Sequence, residues 1–239
     1  MKAVSYTFKR TEKKYLLDEK QYTTLKEILN QHMVSDDYPK YTICNVYFDT
    51  DSYELISKSI EKPFFKEKLR LRSYGTPKKT DTVFLEIKRK VNGVVYKRRI
   101  SMPYEKMEKY LKTGSYDGFS GQVFKEIDYF IKHYHPKPQL YLAYEREAYK
   151  GTGNDEALRV TFDSDIRWRE RNVSICDDSD CSYMLDSGQK LMEVKANGAM
   201  PIWLCEALSR LNVFPFSFSK YGTFYKKKLT DTNNFTKGA

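Results

Sequence analysis

The sequence predicts an α+β fold in which eight antiparallel β-strands close into a barrel with helices around it. The first observation is an alternation over residues 65–75 that puts four cations on one side of a strand: Lys66, Lys68, Arg70 and Arg72. A strand sends alternate side chains to opposite faces, and similar patterns recur along the chain. The second is a set of helical segments with apolar stripes, which need the apolar faces of strands as partners. The third is the strand number, since eight strands close around a small interior.

Composition and charge restrict the classes of function. The 239 residues carry a formal charge of +10, which favours anionic partners such as nucleic acid, phosphorylated metabolites or an acidic membrane surface. Hydrophobic residues make up 40% of the chain, enough for a folded core. No run of 18 apolar residues occurs, so no transmembrane helix is expected. The four cysteines form no C-x-x-C pair, which argues against a zinc site and favours reduced thiols in the cytoplasm.

The first half of the chain contains five predicted strands, over residues 6–17, 41–49, 65–75, 82–90 and 94–102. Asp18 is the predicted N-cap of the first helix, and Gln21 completes a capping box. A short helix over residues 53–56 follows the second strand. The pair Asn92-Gly93 is typical of a hairpin turn, so the fourth and fifth strands are expected to pair.

The second half alternates helices with three further strands, over residues 139–149, 157–165 and 189–197. Two helices are predicted before them, over residues 103–112 and 119–134, and a fifth helix begins at Pro201. Residues 166–188 are polar and lack a periodic pattern, so we expect an irregular surface loop. Residues 229–239 also lack hydrophobic periodicity, so we predict one domain over residues 1–228 and a loose tail over 229–239.

The charged sides of the strands are expected inside the barrel, because the helices cover the apolar sides. These sides carry twelve residues: Glu12, Lys14, Arg70, Arg72, Glu86, Lys88, Lys97, Arg99, Arg146, Arg159, Glu193 and Lys195. At about 4 Å, one like-charge contact costs roughly 4 kcal/mol at an effective dielectric near 20. The cations of the lumen must therefore be hydrated, paired with the glutamates, or neutralised by an anion of high charge density. Linear tri- or polyphosphate fits, since arginine binds phosphate in a bidentate way and lysine offers a compact charge.

The glutamates of this set admit two interpretations. They hold a divalent cation that bridges phosphate oxygens, or they only neutralise the neighbouring lysines and arginines. The residues alone leave both open for each glutamate, and Glu193 is the leading candidate for a metal ligand.

Seven motifs, in chain order, resemble those of the VTC domain in its bacterial, soluble form. This is the polyphosphate polymerase domain of the CYTH, or triphosphate tunnel metalloenzyme, superfamily. The motifs are Val46-Tyr47-Phe48-Asp49, Lys68-Leu69-Arg70-Leu71-Arg72-Ser73-Tyr74-Gly75, Phe84-Leu85-Glu86-Ile87-Lys88, Tyr144-Glu145-Arg146-Glu147-Ala148-Tyr149, Leu158-Arg159-Val160-Thr161-Phe162-Asp163, Met192-Glu193-Val194-Lys195 and Ser219-Lys220-Tyr221. Glu12-Lys13-Lys14 resembles the second half of the E-x-E-x-K motif of the superfamily. Its first glutamate is Arg10 here, as expected of the polymerase branch, which weakens the case for a hydrolytic two-metal centre.

The resemblance implies a basic tunnel, Mn²⁺ or Mg²⁺, and transfer of the γ-phosphate of ATP to a growing inorganic polyphosphate chain. It implies catalytic roles for four arginines, Arg70, Arg72, Arg146 and Arg159. The implied phosphate contacts are Lys14, Lys88, Lys97, Arg99, Lys195 and Lys220. The alignment of the fifth strand leaves open which of Lys97, Arg98 and Arg99 lines the lumen. The implied metal ligands are Glu193, Glu12 and Glu86.

Two other functions remain open at this stage. One is a tripolyphosphatase or nucleoside triphosphatase, in which water replaces the end of the chain as acceptor. The other is a sensor that binds polyphosphate or a nucleotide without turnover. A nucleic-acid binder is disfavoured, because a lumen cannot admit a duplex. The sequence identifies no membrane or transporter partner, and the membrane segments of the eukaryotic complex are absent.

Overall fold

Nine β-strands and six α-helices make up the described part of the chain, residues 10–115, 121–177 and 179–236 of a computed structural model. The strands are β1 (Arg10–Leu17), β2 (Met33–Asp49), β3 (Phe65–Tyr74), β4 (Thr82–Val91), β5 (Val94–Pro103), β6 (Lys137–Gly151), β7 (Arg159–Arg169), β8 (Ser182–Tyr183) and β9 (Lys190–Asn197). The helices are α1 (Glu19–His32), α2 (Glu54–Ile60), α3 (Tyr104–Thr113), α4 (Gln122–Tyr134), α5 (Ile202–Arg210) and α6 (Lys220–Thr236).

Hydrogen bonds link the strands in the order β1-β9-β7-β6-β2-β3-β4-β5, and β8 pairs with β7. The ladders of β9 with β1 and β7, and of β3 with β2 and β4, are antiparallel, as are those of β4 with β5 and β7 with β8. The predicted α+β fold, an antiparallel sheet with surrounding helices, is therefore confirmed.

The predicted closure into an eight-stranded barrel is not confirmed. Over the described residues, no hydrogen-bonded ladder joins β1 to β5, the two ends of the strand order. One reason is local to β1, where the backbone N–H of Phe216 donates to the carbonyl of Lys14 at 2.7 Å and so occupies the outer edge of the strand. At the other end, residues 94–99 of β5 are all exposed. The sheet keeps two ends within the described ranges.

The chain divides into two compact units, and each has its own core. The first unit contains the described residues of 1–41, 144–166 and 185–218. Its core packs Leu25 of α1 and Leu204 of α5 with Tyr15, Phe162 and Met192 of the strands. Alternation then places the polar neighbours of these strand residues on the opposite face. In this unit the helices cover the apolar face of the strands, as predicted.

The second unit contains the described residues of 42–143, 167–184 and 219–239. Its core packs Met107 of α3 and Phe130 of α4 with Val46, Leu69 and Leu85. Arg70 and Arg72 flank these buried leucine positions and point to the face that α3 and α4 do not cover. The alternation over residues 65–75 therefore has the orientation that the sequence predicts.

Several predicted local signals are confirmed. The Asp18 carboxylate accepts a hydrogen bond from the N–H of Gln21 at 2.7 Å, and the Gln21 side chain accepts one from the N–H of Asp18 at 3.0 Å. These two bonds form the capping box at the start of α1. Asn92 and Gly93 have φ values of 44° and 82°, the left-handed conformation that a two-residue hairpin turn between β4 and β5 requires. Pro103, the predicted first residue of the third helix, is the N-cap of α3, so the helix begins one residue later than predicted.

Other element boundaries differ from the prediction. The strand β2 begins at Met33 rather than at residue 41, and β7 continues to Arg169 into the predicted loop. The helix α6 was not predicted and extends to Thr236, into the segment expected to be loose. Among its side chains with described burial, Tyr221 and Phe224 are the buried aromatics, a stripe too sparse to indicate a helix. Residues 6–9 of the first predicted strand and 119–120 of the fourth helix lie outside the described ranges, and the domain boundary at residue 228 stays a prediction.

The described helices include none whose length and apolar character would let it pass through a bilayer.

Candidate functional site

The carboxylate of Glu86 gathers three cations on the charged face of the second unit. Its Oε2 atom accepts from Arg70 Nη2 at 2.7 Å and from Nε at 2.8 Å, and Arg72 Nη1 lies 3.8 Å away. Its Oε1 atom is 2.6 Å from Lys97 Nζ. Glu86 is 1% exposed. Burial raises the pKa of Glu86, but the neighbouring Arg70, Arg72 and Lys97 outweigh it and lower this pKa to about 2. The carboxylate is therefore charged, and it holds the cations in place before any ligand binds.

Two residues of β2 complete this cluster. Arg72 Nε donates to Asn45 Oδ1 at 3.0 Å, and Asn45 Nδ2 in turn donates to the Leu142 carbonyl at 3.1 Å. Arg70 Nη1 donates to the Tyr47 hydroxyl at 3.4 Å. Burial raises the pKa of Tyr47, yet Arg70, Arg72 and Lys220 together lower it to about 8. The predicted phosphate contact Lys220 thus acts electrostatically on the same cluster.

The structure distinguishes between the three consecutive cations of β5. Register pairs Lys97 with Lys88 and Arg99 with Glu86, and in each of these directly opposed pairs both side chains lie on one face. The Arg99 guanidinium lies 4.6 Å from the ring centroid of Phe84. Arg98 has the opposite orientation and binds Glu126 of α4 at 2.6 Å. Lys97, Lys88 and Arg99 therefore share the charged face with Glu86, whereas Arg98 belongs to the helix-covered side.

A second charged cluster, in the first unit, centres on Glu193 of β9. Glu193 pairs with Lys195 on its own strand, and its Oε2 atom lies 3.8 Å from Lys14 Nζ on the neighbouring strand. Lys14 Nζ is also 3.6 Å from Glu12. Burial raises the pKa of Glu193, but Lys195, Lys14 and Arg146 lower it to about 2. The predicted ligands Lys14, Lys195, Glu12 and Glu193 are thus brought together.

Arg146 of β6 is held by a partner that the sequence did not predict. Its Nε and Nη2 atoms donate to the two oxygens of Asp163 at 2.6 and 2.8 Å, and Asp163 is buried. Burial lowers the pKa of Arg146, but Tyr144, Asp163 and Glu193 raise it well above its usual value. Thr161 is directly opposite Glu193 in the β7–β9 register, and its buried Oγ1 atom has no hydrogen-bond partner in the described structure. The first unit therefore has a fixed arginine beside a carboxylate and an unsatisfied hydroxyl.

Arg159 differs from the other three predicted arginines. It is 44% exposed, and it pairs with Asp36 near the start of β2. Arg159 and Arg146 lie in the first unit, whereas Arg70 and Arg72 lie in the second. The placement of all four arginines inside one barrel stays a prediction.

The carboxylates fit one kind of metal site. No group of three His, Cys, Asp or Glu side chains within the described ranges could enclose a metal ion. Mg²⁺ is commonly held by only one or two carboxylates, with waters and substrate phosphates as the other ligands. Glu193 and Glu12, which both pair with Lys14, fit this mode of metal binding. Both oxygens of Glu86 face cations, so its contacts favour the counter-ion interpretation.

Four residues of the two charged clusters were not predicted from the sequence, although their positions carry a weak sequence signal. Asn45, Tyr47, Thr161 and Asp163 all occupy charged-face positions of their strands. Three of the four lie inside quoted motifs of the sequence. Only the three-dimensional structure shows which group each of them faces across the strands.

Comparison with known proteins identifies related folds. The model of the VTC domain family matches residues 9–228. A candidate adenylate cyclase from Bacillus halodurans has a similar structure, with a TM-score of 0.53, 15% identity, and coverage of 87% of this chain and 92% of that chain. A protein from Hippeastrum, described as a candidate adenylyl cyclase with a dominant triphosphatase activity, matches with a TM-score of 0.52 and 13% identity, over 90% of this chain and 95% of that chain. No curated protein matches the sequence.

Proposed function

Because the chain belongs to the VTC domain family, we propose that it is a metal-dependent phosphotransferase that adds the γ-phosphate of ATP to a growing inorganic polyphosphate chain. The observation that carries the proposal is the cluster around Glu86, where Arg70, Arg72 and Lys97 share one buried carboxylate on a strand face with further cations. Several cations along one strand face suit a linear, multiply charged anion. The proposed location is the cytoplasm, and in keeping with a reducing compartment none of the four cysteines, all within the described ranges, forms a disulfide.

Positioning and charge neutralisation are enough for phosphoryl transfer. The phosphate at the end of the acceptor chain is itself the nucleophile, so no Ser, Cys or His is required, and the transferring group needs donors around its oxygens. Arg70 and Arg72 of the second unit, and Arg146 and Arg159 of the first, are the proposed residues that stabilise charge on a transferring phosphate. The other proposed phosphate contacts hold the rest of the polyphosphate: Lys14, Lys88, Lys97, Arg99, Lys195 and Lys220.

A divalent ion, Mn²⁺ or Mg²⁺, is the proposed cofactor. Glu193, with Glu12, would hold it together with phosphate oxygens. When bound, the ion neutralises part of the phosphate charge. Glu86 serves as the counter-ion that orients Arg70 and Lys97.

The product formed from γ-labelled ATP and Mn²⁺ tests the proposal. We expect a ladder of long polyphosphate on a gel for the wild type and none for Arg70→Ala. Arg98→Ala is the matched control, because Arg98 lies on the helix-covered side with Glu126 and should leave the ladder intact. Release of orthophosphate alone would replace the proposal with a triphosphatase. Thermal stabilisation by ATP without any turnover would replace it with a sensor.

A further inference from the structure

Three phenylalanines alternate in the segment between α5 and α6, at positions 214, 216 and 218. Phe214 is 69% exposed and Phe216 is 46% exposed, and the rings of Phe216 and Phe218 lie 5.8 Å apart between centroids. Phe214 and Phe216 are therefore exposed aromatic residues of the first unit, and we call residues 214–218 the phenylalanine segment. A surface of this kind indicates a binding partner with a flat, apolar face.

Backbone and side-chain hydrogen bonds fix this segment to Lys14. The N–H of Phe216 donates to the Lys14 carbonyl at 2.7 Å, and Lys14 Nζ donates to the Phe218 carbonyl at 3.0 Å. The segment therefore runs along the outer edge of β1, beside a residue of the Glu193 cluster. The backbone of the segment therefore contacts the Lys14 ammonium group, one of the cations of that cluster.

The ligand must match both halves of this arrangement. Lys14 and Lys195 sit on either side of Glu193, and Arg146 also acts on its charge, so this half suits phosphate groups. The exposed rings offer nothing to inorganic phosphate, but aromatic side chains stack on nucleobases without regard to sequence. We propose that Phe214 and Phe216 form the stacking site for the base of a nucleoside triphosphate whose phosphates reach the Glu193 cluster. This inference rests on the proposed function and names the nucleotide end of its substrate site.

Binding of two ligands that differ only in the nucleoside tests the inference. Calorimetric titration with ATP and with inorganic tripolyphosphate, both with Mg²⁺, is carried out on the wild type, on Phe214→Ala/Phe216→Ala and on Tyr129→Ala. Tyr129 is the matched control, since it is 65% exposed and lies on α4 in the other unit. We expect the double variant to bind ATP at least about fivefold more weakly, the smallest effect typical of one base stacked on one ring. Its affinity for tripolyphosphate should stay that of the wild type.

Other outcomes overturn the inference. Equal weakening for both ligands would mean that the segment only supports Lys14. Unchanged ATP affinity with a changed molecular mass in solution would assign the rings to a contact between copies of the chain. Wild-type protein that binds tripolyphosphate but not ATP would remove the stacking site and leave the phosphate cluster intact, whereas failure to bind either ligand would remove the proposed function as well. As a second readout, Phe216→Trp should show indole fluorescence quenched by ATP and not by tripolyphosphate.

Discussion

Replacement of Glu86 by glutamine removes one charge from a buried cluster and keeps the shape of the side chain. In the wild type, the pKa of Glu86 is about 2 instead of 4.5. That difference corresponds to roughly 3 kcal/mol of favourable interaction between the carboxylate and its cations. Because Arg70, Arg72 and Lys97 would lose their common partner, we expect Glu86→Gln to lower the free energy of unfolding by about 3 kcal/mol near neutral pH.

Urea unfolding at several pH values measures this loss. A carboxylate with a lowered pKa stabilises the fold above its unfolded pKa, and the contribution disappears as the pH falls through the folded value. The difference between wild type and Glu86→Gln should therefore be complete above pH 4.5 and vanish towards pH 2. Tripolyphosphate should restore much of the stability of the variant, because the anion supplies the missing negative charge.

The control for this experiment is Glu126→Gln. Glu126 also holds two arginines, Arg89 and Arg98, but on the helix-covered side of the second unit. Tripolyphosphate should stabilise Glu126→Gln no more than it stabilises the wild type. If tripolyphosphate stabilised both variants equally, or if Glu86→Gln lost no more stability than Glu126→Gln, the assignment of Glu86 as organiser of an anion site would be wrong.

Three further experiments address single residues. Arg146→Lys removes the bidentate contact with Asp163, so turnover should fall roughly a hundredfold or more. Arg89→Lys is the control and should keep wild-type turnover, and circular dichroism verifies the fold of both variants. Because the pKa of Tyr47 is about 8, its phenolate should oppose anion binding above that pH. The affinity for tripolyphosphate should therefore decline through pH 8 in the wild type and decline less in Tyr47→Phe. Identical pH dependence of the two proteins would exclude the effect. Glu193→Gln should raise the Mn²⁺ concentration for half-maximal turnover about tenfold or more, and an unchanged metal titration would remove Glu193 from the metal site.

The alternation in β3 was the most informative part of the sequence. It placed Arg70 and Arg72 on one face and Leu69 and Leu71 on the other, because side-chain direction in a strand depends only on the parity of the position. Burial of both leucines against α3 and α4 confirms this orientation. Fold class could therefore be predicted from local pattern alone.

Contacts between strands could not be predicted in the same way. Asp163 holds Arg146 from the adjacent region of the sheet, and Asn45 holds Arg72 across 27 positions of the chain. Such partners depend on register, which a single sequence does not specify. Over the described residues, the lack of a ladder between β1 and β5 has a similar origin, because Phe216, far along the chain, occupies the edge of β1. Helix α6 was missed for a different reason, since its short apolar stripe is diluted by polar residues.

Strand β5 pairs on one side with β4, and no second strand flanks it in the described part of the chain. It exposes Val94, Val95 and Tyr96 immediately before three consecutive cations. A bare apolar edge would recruit the same edge of another molecule, and the cations repel that neighbour. Variants that remove Lys97, Arg98 and Arg99 together would therefore precipitate through edge-to-edge association, and their lost activity would say nothing about catalysis. Substitutions in this strand are best made one at a time.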